Sequence, residues 1–265
     1  GKLLYPQSHP YFSAIENEDF NIKKESLVQH HKQFLNLSDA TIFIAGKVKK
    51  EVIDKVELAF GHISLCKVQK HVIERIDVST ANELLVRKED AVQSAIRIGR
   101  LLPIEKSSDE FIPFLVLNTI LGGYFSSRLM ANIREDKGFT YGIGSGVLAN
   151  LSSTIFLIAT EVNVDSTNAT IKEISKEMDK LKTEKVSASE LNKVKKFMVG
   201  SFLRSSDGPF NVADKFKSSY LHDLGDKFNG QYLASIEEVT SENIRDLALK
   251  YLNDNEMIQV VVGNR

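Results

Sequence analysis

Apolar residues recur along the chain in two kinds of pattern, which predict helices in some segments and strands in others. Residues 50–60 and 171–181 each place their apolar side chains on one helical face. Residues 92–102 form a nearly continuous apolar run of the kind found in buried strands. Two further apolar runs, 140–149 and 153–162, are separated by a short polar turn, so we expect a β-hairpin there.

The middle of the chain carries clear start and stop signals for helices. Ser108 is a predicted N-cap for a helix over 109–121, because a Ser hydroxyl accepts a hydrogen bond from a free backbone N–H of the first turn. Gly122 and Gly123 follow, and glycine favours the end of a helix. A second helix is predicted over residues 126–136.

Helical patterns dominate the chain after the hairpin, as far as residue 253. Ser187 and Glu190 have the spacing of a capping box, in which each side chain bonds to the backbone N–H of the other residue. Strands are also predicted at residues 84–88 and at the C-terminal VVVG, residues 260–263.

The two ends of the chain resemble each other. Residues 22–47 align without a gap on residues 239–264, an offset of 217 positions. Each copy has a helical pattern, a short Asn/Asp turn and an apolar strand pattern that stops at glycine. This agreement favours an internal duplication, and two unrelated helix–strand units are the alternative. The identical pairs are Glu25/Glu242, Leu35/Leu252, Asn36/Asn253 and Gly46/Gly263.

The repeat divides the chain unequally. If one copy ends near residue 47, that copy needs about 140 to 150 further residues before Gly1. We therefore expect residues 1–65 to be the C-terminal tail of a first domain, 66–79 a linker and 80–265 a second domain. The chain is then either a portion of a longer protein or half of a split system.

Composition restricts the classes of partner and site. The 265 residues are 42% hydrophobic, which is enough for a core without metal or disulfide support. With 34 basic and 35 acidic side chains the net charge is −1, so no nucleic-acid partner is predicted. No window approaches the roughly 18 apolar residues of a membrane helix, so no membrane span is predicted. Cys66, the single cysteine, is interpreted as an ordinary free thiol.

The histidines and glycines do not form a recognised metal or phosphate motif. His71 and Glu74 have H-x-x-E spacing, but Arg75 stands where an inverted zinc motif needs histidine, so no metal site is predicted in this chain. The glycines of YGIGSG, residues 141–146, lack the G-x-G-x-x-G order of a nucleotide loop. Alternate glycines in a strand instead favour the close approach of another backbone or of an extended peptide.

One segment carries most of the functional information. Residues 121–142 read LGGYFSSRLMANIREDKGFTYG. This stretch resembles the second-domain signature of the pitrilysin/insulinase inverzincins, the family that includes mitochondrial processing peptidase. The resemblance covers the whole chain, because residues 22–63 look like the tail of that family's first domain and residues 80–265 look like its second domain.

The resemblance implies a fold and a division of labour between two homologous domains that form a clamshell. The expected fold class is α+β, with a mostly antiparallel sheet packed against helices in two layers. The helix–strand–helix tail of a homologous first domain would precede it. In that family an H-x-x-E-H motif of the first domain binds zinc, so a zinc-bearing homologous domain or subunit is the implied partner. This chain alone is expected to be inactive, and no cofactor is expected within it.

The same resemblance assigns roles to individual residues. Arg134 and Tyr141 match an Arg and a Tyr, seven positions apart, that reach across to the peptide substrate. An Arg guanidinium offers a fork of donors to a backbone carbonyl, and a Tyr hydroxyl can donate to a developing oxyanion. Gly122, Gly123 and Arg128 also match the motif and are expected to be structural, Arg128 by bonding carbonyls or carboxylates between helices.

Alternatives stay open for both the residues and the function. Arg134 could instead pair with a neighbour such as Asp136, and Tyr141 could pack as a strand aromatic. The leading hypothesis for function is a peptide-binding, non-catalytic half that completes a zinc metalloendopeptidase. The alternatives are a non-enzymatic partner or assembly subunit on the same scaffold, and a peptide carrier that binds by strand addition.

Overall fold

The computed structural model of the chain describes residues 1–12, 22–34, 40–63, 73–77, 82–225 and 228–264. Several residues singled out from the sequence lie outside these ranges. They are Leu35 and Asn36 of the repeat, the free cysteine Cys66 and His71 of the H-x-x-E pair. The predicted linker, 66–79, is described only at residues 73–77.

The described residues form helices and strands in separate blocks. The strands are β1 (Asn82–Arg87), β2 (Gln93–Leu102), β3 (Ile143–Ala149), β4 (Thr154–Asn163) and β5 (Ile258–Gly263). The α-helices are α1 (Lys24–Phe34), α2 (Lys50–Phe60), α3 (Phe111–Asn118), α4 (Thr167–Thr183), α5 (Ala188–Arg204), α6 (Pro209–Leu221), α7 (Phe228–Glu238) and α8 (Ser241–Tyr251). Between α3 and β3 lie a first π-helix, Thr119–Gly123, and a second π-helix, Met130–Asp136.

The strands form one mixed sheet in the order β1-β5-β2-β4-β3. The β2–β4, β2–β5 and β3–β4 pairs are antiparallel, and only the β1–β5 pair within this sheet is parallel. The C-terminal strand β5 therefore lies between β1 and β2, which are close in sequence. The predicted α+β class with a mostly antiparallel sheet is confirmed, as is the predicted hairpin, which is formed by β3 and β4.

The core lies between one face of the sheet and the helices. Alternate residues of β2 and β4 point into it, as the period of two in a strand requires. At its centre the ring of Phe114 meets Phe156 of β4 and Tyr251 of α8 edge to face, with centroids 5.8 and 5.7 Å away. Burying a side chain of this size stabilises the fold by roughly 1.5–3 kcal/mol relative to exposure.

Arg128 links the segment before the second π-helix to the start of α5. Its Nε and Nη2 atoms each donate to one carboxylate oxygen of Glu190, both at 2.9 Å. Ser187 caps α5 as predicted, because its hydroxyl accepts a hydrogen bond from the Glu190 N–H at 3.1 Å. The second half of the predicted capping box is not formed, since the Glu190 carboxylate turns to Arg128. A bidentate charge-assisted pair is stronger than a single bond to a backbone N–H.

The chain around Gly122 comes into direct contact with β3. The predicted helix end at Gly122 and Gly123 is confirmed, because α3 continues as the first π-helix and that helix stops at Gly123. A Cβ atom built on Gly122 would lie 2.6 Å from the Ser145 backbone nitrogen. Only a glycine allows so close an approach. The backbone that approaches the glycine-rich strand is therefore a helix of the same chain.

The two copies of the repeat agree in structure as far as the described residues allow. Helices α1 and α8 begin at equivalent positions under the offset of 217. Gly46 and Gly263, the terminal glycines, both have positive φ, at 117° and 146°. Glycine adopts this region at little cost, which explains its presence at both ends.

The strand predicted near residues 41–45 is not formed, and this corrects the expected helix–strand–helix tail. The segment aligns with β5 under the repeat offset, and β5 is held by a neighbour on each side. No strand in the described ranges lies beside residues 41–45. A strand is stabilised by backbone hydrogen bonds to a neighbouring strand. Without such a neighbour, even an apolar segment with high strand propensity does not form one.

Residues 1–12 pack against the turn between β3 and β4. Tyr5 is buried, and its hydroxyl lies 2.6 Å from the Ser153 hydroxyl. The His9 ring stacks on Tyr5, and its Nε2 lies 3.1 Å from the Glu74 carbonyl oxygen. The beginning of the chain is thereby tied to the hairpin of the sheet.

The contact of Gly122 with β3 gives a first prediction. Gly122→Ala should destabilise the fold by about 1–3 kcal/mol, because the added methyl collides with the Ser145 backbone and β3 must move. Gly146→Ala is the matched control, since nothing lies within 4 Å of a Cβ at that position. Urea unfolding followed by circular dichroism measures both. Equal stability of the two variants would contradict the close contact.

The Arg128–Glu190 pair gives a second prediction. Arg128→Lys should lower the free energy of unfolding by about 1–2 kcal/mol, because lysine keeps the charge and loses the second parallel hydrogen bond. Lys217→Gln, which breaks the exposed pair with Asp214, should leave stability unchanged. A double-mutant cycle with Glu190→Gln isolates the pair, and additive effects would show that the two side chains do not interact.

Candidate functional site

Arg134 and Tyr141 lie on the two sides of one turn. Arg134 is in the last turn of the second π-helix, and Tyr141 stands two residues before the start of β3. Two hydrogen bonds hold the turn together: the Phe139 N–H donates to the Ile133 carbonyl at 3.0 Å, and the Ile143 N–H donates to the Met130 sulfur at 3.5 Å. The end of this helix and the beginning of β3 therefore have a fixed relation to each other.

The side chain of Tyr141 projects into solvent. It is 96% exposed, so its ring is not packed against the sheet as the alternative interpretation required. Large aromatic side chains bury more apolar area than most others when they pack. A tyrosine left so fully exposed contributes little to stability, and its hydroxyl is free to meet a group from outside the chain.

Arg134 lies over the face of an exposed aromatic ring. Its guanidinium carbon is 4.8 Å from the ring centroid of Phe125, which is 63% exposed. Asp136, the neighbour considered as its partner, bonds instead to Lys137 at 2.7 Å, and that hydrogen bond lowers the pKa of the Asp136 carboxyl. Arg134 forms no ion pair with any residue that the structure describes, and its described contact is the cation–π contact with Phe125.

The backbone on each side of Tyr141 is held by two threonines. The Thr140 hydroxyl accepts a hydrogen bond from the Gly142 N–H at 3.1 Å and donates to the Glu161 carbonyl at 2.6 Å. The Thr160 hydroxyl lies 3.0 Å from the Gly142 carbonyl oxygen. Sequence reasoning missed both threonines. The available signal was a Thr directly before Tyr141, since Ser and Thr side chains often bond to the backbone two residues on.

A cleft of about 420 Å³ opens beside Tyr141. Arg97 of β2 forms part of its wall and donates through Nη1 to the Ile96 and Thr160 carbonyls, at 2.9 and 3.1 Å. Its Nη2 lies 3.6 Å from a carboxylate oxygen of Glu161. The lining is therefore polar and carries both signs of charge. The lining residues are Gln93, Arg97, Thr140, Tyr141, Gly142, Ala159, Thr160 and Glu161.

The other residues of the motif lie behind this surface. Gly122 touches β3, and Gly123 lies against the side chains of Asn118 and Thr119 at its preceding turn. Arg128 is partly buried and engaged with Glu190. These residues connect α3, the second π-helix, α5 and β3, which are the elements that carry or support Arg134 and Tyr141.

The described residues do not provide a ligand set for zinc. No group of three His, Cys, Asp or Glu side chains that could hold a metal is present in the part of the chain that the structure describes. Glu74, the described member of the H-x-x-E pair, is exposed. Among the described helices, none is both long and apolar enough to cross a membrane.

Comparison of the sequence with known families gives a match over most of the chain. The model of the peptidase M16 inactive domain matches residues 21–198. An uncharacterized zinc protease of Bacillus subtilis, YmxG, is 24% identical over 237 residues, which are 89% of this chain and 57% of that protein. A non-peptidase homolog of Helicobacter pylori, also named YmxG, is 23% identical over 92% of this chain and 56% of its own length. The chain spans little more than half the length of these relatives.

Solved structures share the fold. A peptidase M16 inactive domain from Pseudomonas fluorescens superimposes with a TM-score of 0.86 at 20% identity, covering 100% of this chain and 63% of that chain. A protease from Helicobacter pylori has a TM-score of 0.81 at 18% identity, covering 91% of this chain and 59% of its own. The family resemblance seen in residues 121–142 is confirmed: the chain belongs to the peptidase M16 inactive-domain family.

Proposed function

We propose that this chain is the non-catalytic half of a zinc metallopeptidase, which binds an extended peptide and completes the active site of a zinc-bearing homologous half. Membership of the inactive-domain family implies pairing with a homologous domain. The single observation that carries the peptide-binding role is the 96% exposure of Tyr141, across one turn from an Arg134 that forms no ion pair with any described residue. Neither side chain serves the core, and both are donors.

The two side chains suit different tasks on a peptide. The Arg134 guanidinium carries a permanent charge and offers several N–H donors to a backbone carbonyl of the substrate. The Tyr141 hydroxyl donates one hydrogen bond, which gains strength as negative charge develops on the carbonyl oxygen under attack. Zinc would be the partner's cofactor, because the described residues of this chain do not fit it.

Residues 1–65, the expected tail of the first domain, support pairing of this chain with a zinc-bearing half. Helix α2 has its predicted apolar face, but none of its residues is buried. The unpaired segment 41–45 lies against α6, where the Phe43 ring is 6.1 Å from Phe216 and 5.5 Å from Tyr220 between centroids. Its repeat equivalent, β5, is an inner strand. We propose that residues 1–65 belong to the zinc-bearing domain, 66–79 link the domains, and 80–265 form the peptide-binding domain.

A second candidate function is a non-enzymatic partner or assembly subunit on the same scaffold. The names of two relatives favour it: a non-peptidase homolog in Helicobacter pylori and a probable inactive metalloprotease, YmfF, in Bacillus subtilis. The sequence of the homologous half distinguishes the two candidates. An H-x-x-E-H motif there favours the peptidase, and its loss favours the assembly subunit.

The peptidase proposal predicts a specific kinetic effect. In the protein assembled with its zinc-bearing half, Tyr141→Phe should lower kcat by about 100- to 1,000-fold, because one oxyanion donor is lost. The KM for a peptide should stay within about threefold, since the ring remains. Arg134→Gln should instead raise KM. Steady-state hydrolysis of a fluorogenic peptide measures both variants.

Tyr232→Phe is the matched control, because Tyr232 stacks on Phe202 in the helical layer with centroids 4.7 Å apart. It should leave both constants unchanged. Equal losses of kcat and of peptide affinity in Tyr141→Phe would contradict the oxyanion role. One equivalent of tightly bound zinc on the purified chain alone, measured by metal analysis, would contradict the proposed division between the halves.

The pairing proposal predicts a change in hydrogen exchange. The backbone amides of residues 41–45 should exchange fast in the isolated chain, where they are in no ladder, and slowly after the zinc-bearing half is added. Residues 258–263 serve as the internal control, because β5 already has a neighbour on each side and should be protected in both states. Fast exchange at 41–45 in an assembled, active pair would contradict the proposed pairing through this segment.

A further inference from the structure

We infer that Thr140 and Thr160 are positioning residues for Tyr141, and that their hydroxyls fix the direction in which its phenol leaves the sheet. This inference rests on the proposed function, in which the Tyr141 hydroxyl meets the substrate. It assigns a role to two residues that the motif alone does not single out.

The need for a positioning device follows from the exposure of Tyr141. A side chain that is 96% exposed has no packed neighbours to select its orientation. A donor contributes to transition-state stabilisation only if it is held in place before the reaction. For Tyr141, the constraint must therefore come from the backbone that carries the ring.

Thr140 ties the two residues around Tyr141 to β4. Its hydroxyl has one proton, which it donates to the Glu161 carbonyl at 2.6 Å. The same oxygen accepts a hydrogen bond from the Gly142 N–H at 3.1 Å. Tyr141 thus lies in a turn that the Thr140 hydroxyl closes. The same hydroxyl is hydrogen-bonded to the neighbouring strand, β4.

Thr160 contacts the carbonyl group of Gly142, the residue whose N–H donates to Thr140. Its hydroxyl lies 3.0 Å from the Gly142 carbonyl oxygen and 3.1 Å from the Thr140 hydroxyl. Thr160 is buried on β4 and stands opposite Ile143 in the β3–β4 register. Because β4 is an inner strand, bonded to both β2 and β3, it is a rigid base for this anchor.

The test removes the hydroxyls without changing side-chain shape. Thr140→Val and Thr160→Val are nearly isosteric, Thr140→Ser restores the hydroxyl, and Thr183→Val is the control because that hydroxyl bonds only within α4. In the assembled peptidase, Thr140→Val and Thr160→Val should each lower kcat by about 10- to 100-fold, with KM within about twofold. Thr140→Ser should recover most of the loss, and the control should show none.

A double variant shows whether the threonines act through Tyr141. If they do, Thr140→Val added to Tyr141→Phe should lower kcat no further than Tyr141→Phe alone. NMR relaxation on the isolated chain adds a reading that needs no substrate: the backbone order parameter of Tyr141 should fall in Thr140→Val and return in Thr140→Ser.

The outcomes separate this inference from the proposed function. If Tyr141→Phe lowers kcat while Thr140→Val does not, the positioning role is overturned and the proposed function stands. Multiplicative losses in the double variant also overturn it, because the threonines would then act independently of the phenol. If Tyr141→Phe has no effect on kcat, the proposed function fails and the inference fails with it.

Discussion

The contact between the backbone of Gly122 and β3 determines the arrangement of the whole candidate site. A helix normally stands about 10 Å from a sheet, because side chains separate the two layers. Here the first π-helix approaches until a single Cβ would collide with the Ser145 nitrogen. This contact sets the position of the following segment, which contains Arg128 and the second π-helix, relative to the strand that Tyr141 precedes. Arg128 then fastens the segment to α5 through Glu190. The two proposed substrate-binding side chains are thus carried by elements that cannot shift independently.

The elements whose patterns are local could be predicted from the sequence. The hairpin of β3 and β4, the helix after Ser187 and the strand 92–102 depend on period and on capping residues, and the structure has all three. Only one of the two hydrogen bonds of the predicted capping box forms, because the Glu190 carboxylate pairs instead with Arg128, which is far away in sequence. The predicted strand at 41–45 is not formed, because a strand needs neighbouring strands to bond to, and these cannot be inferred from local propensity.

Only part of the candidate site could be predicted, because some of its residues come together through the strand register and not through a local sequence pattern. Arg134 and Tyr141 follow from a motif that is continuous in sequence. Thr160, Arg97 and Glu161 reach the same cleft from β4 and β2 through the strand register, which no local pattern reveals. The even–odd alternation of β2 does indicate that Arg97 faces away from Ile96 and Ile98. It does not indicate that Thr160 and Tyr141 lie nearby.

The place of β5 in the sheet has a consequence for biosynthesis. A ribosome completes β1 and β2 more than 150 residues before β5, yet β5 must lie between them. The nascent chain therefore carries β1 without its partner and one edge of β2 uncovered until β5 emerges. Such unpaired edges can join other chains. Closure of the sheet therefore waits for the synthesis of β5, and loss of residues 258–263 would remove the strand that joins its two parts.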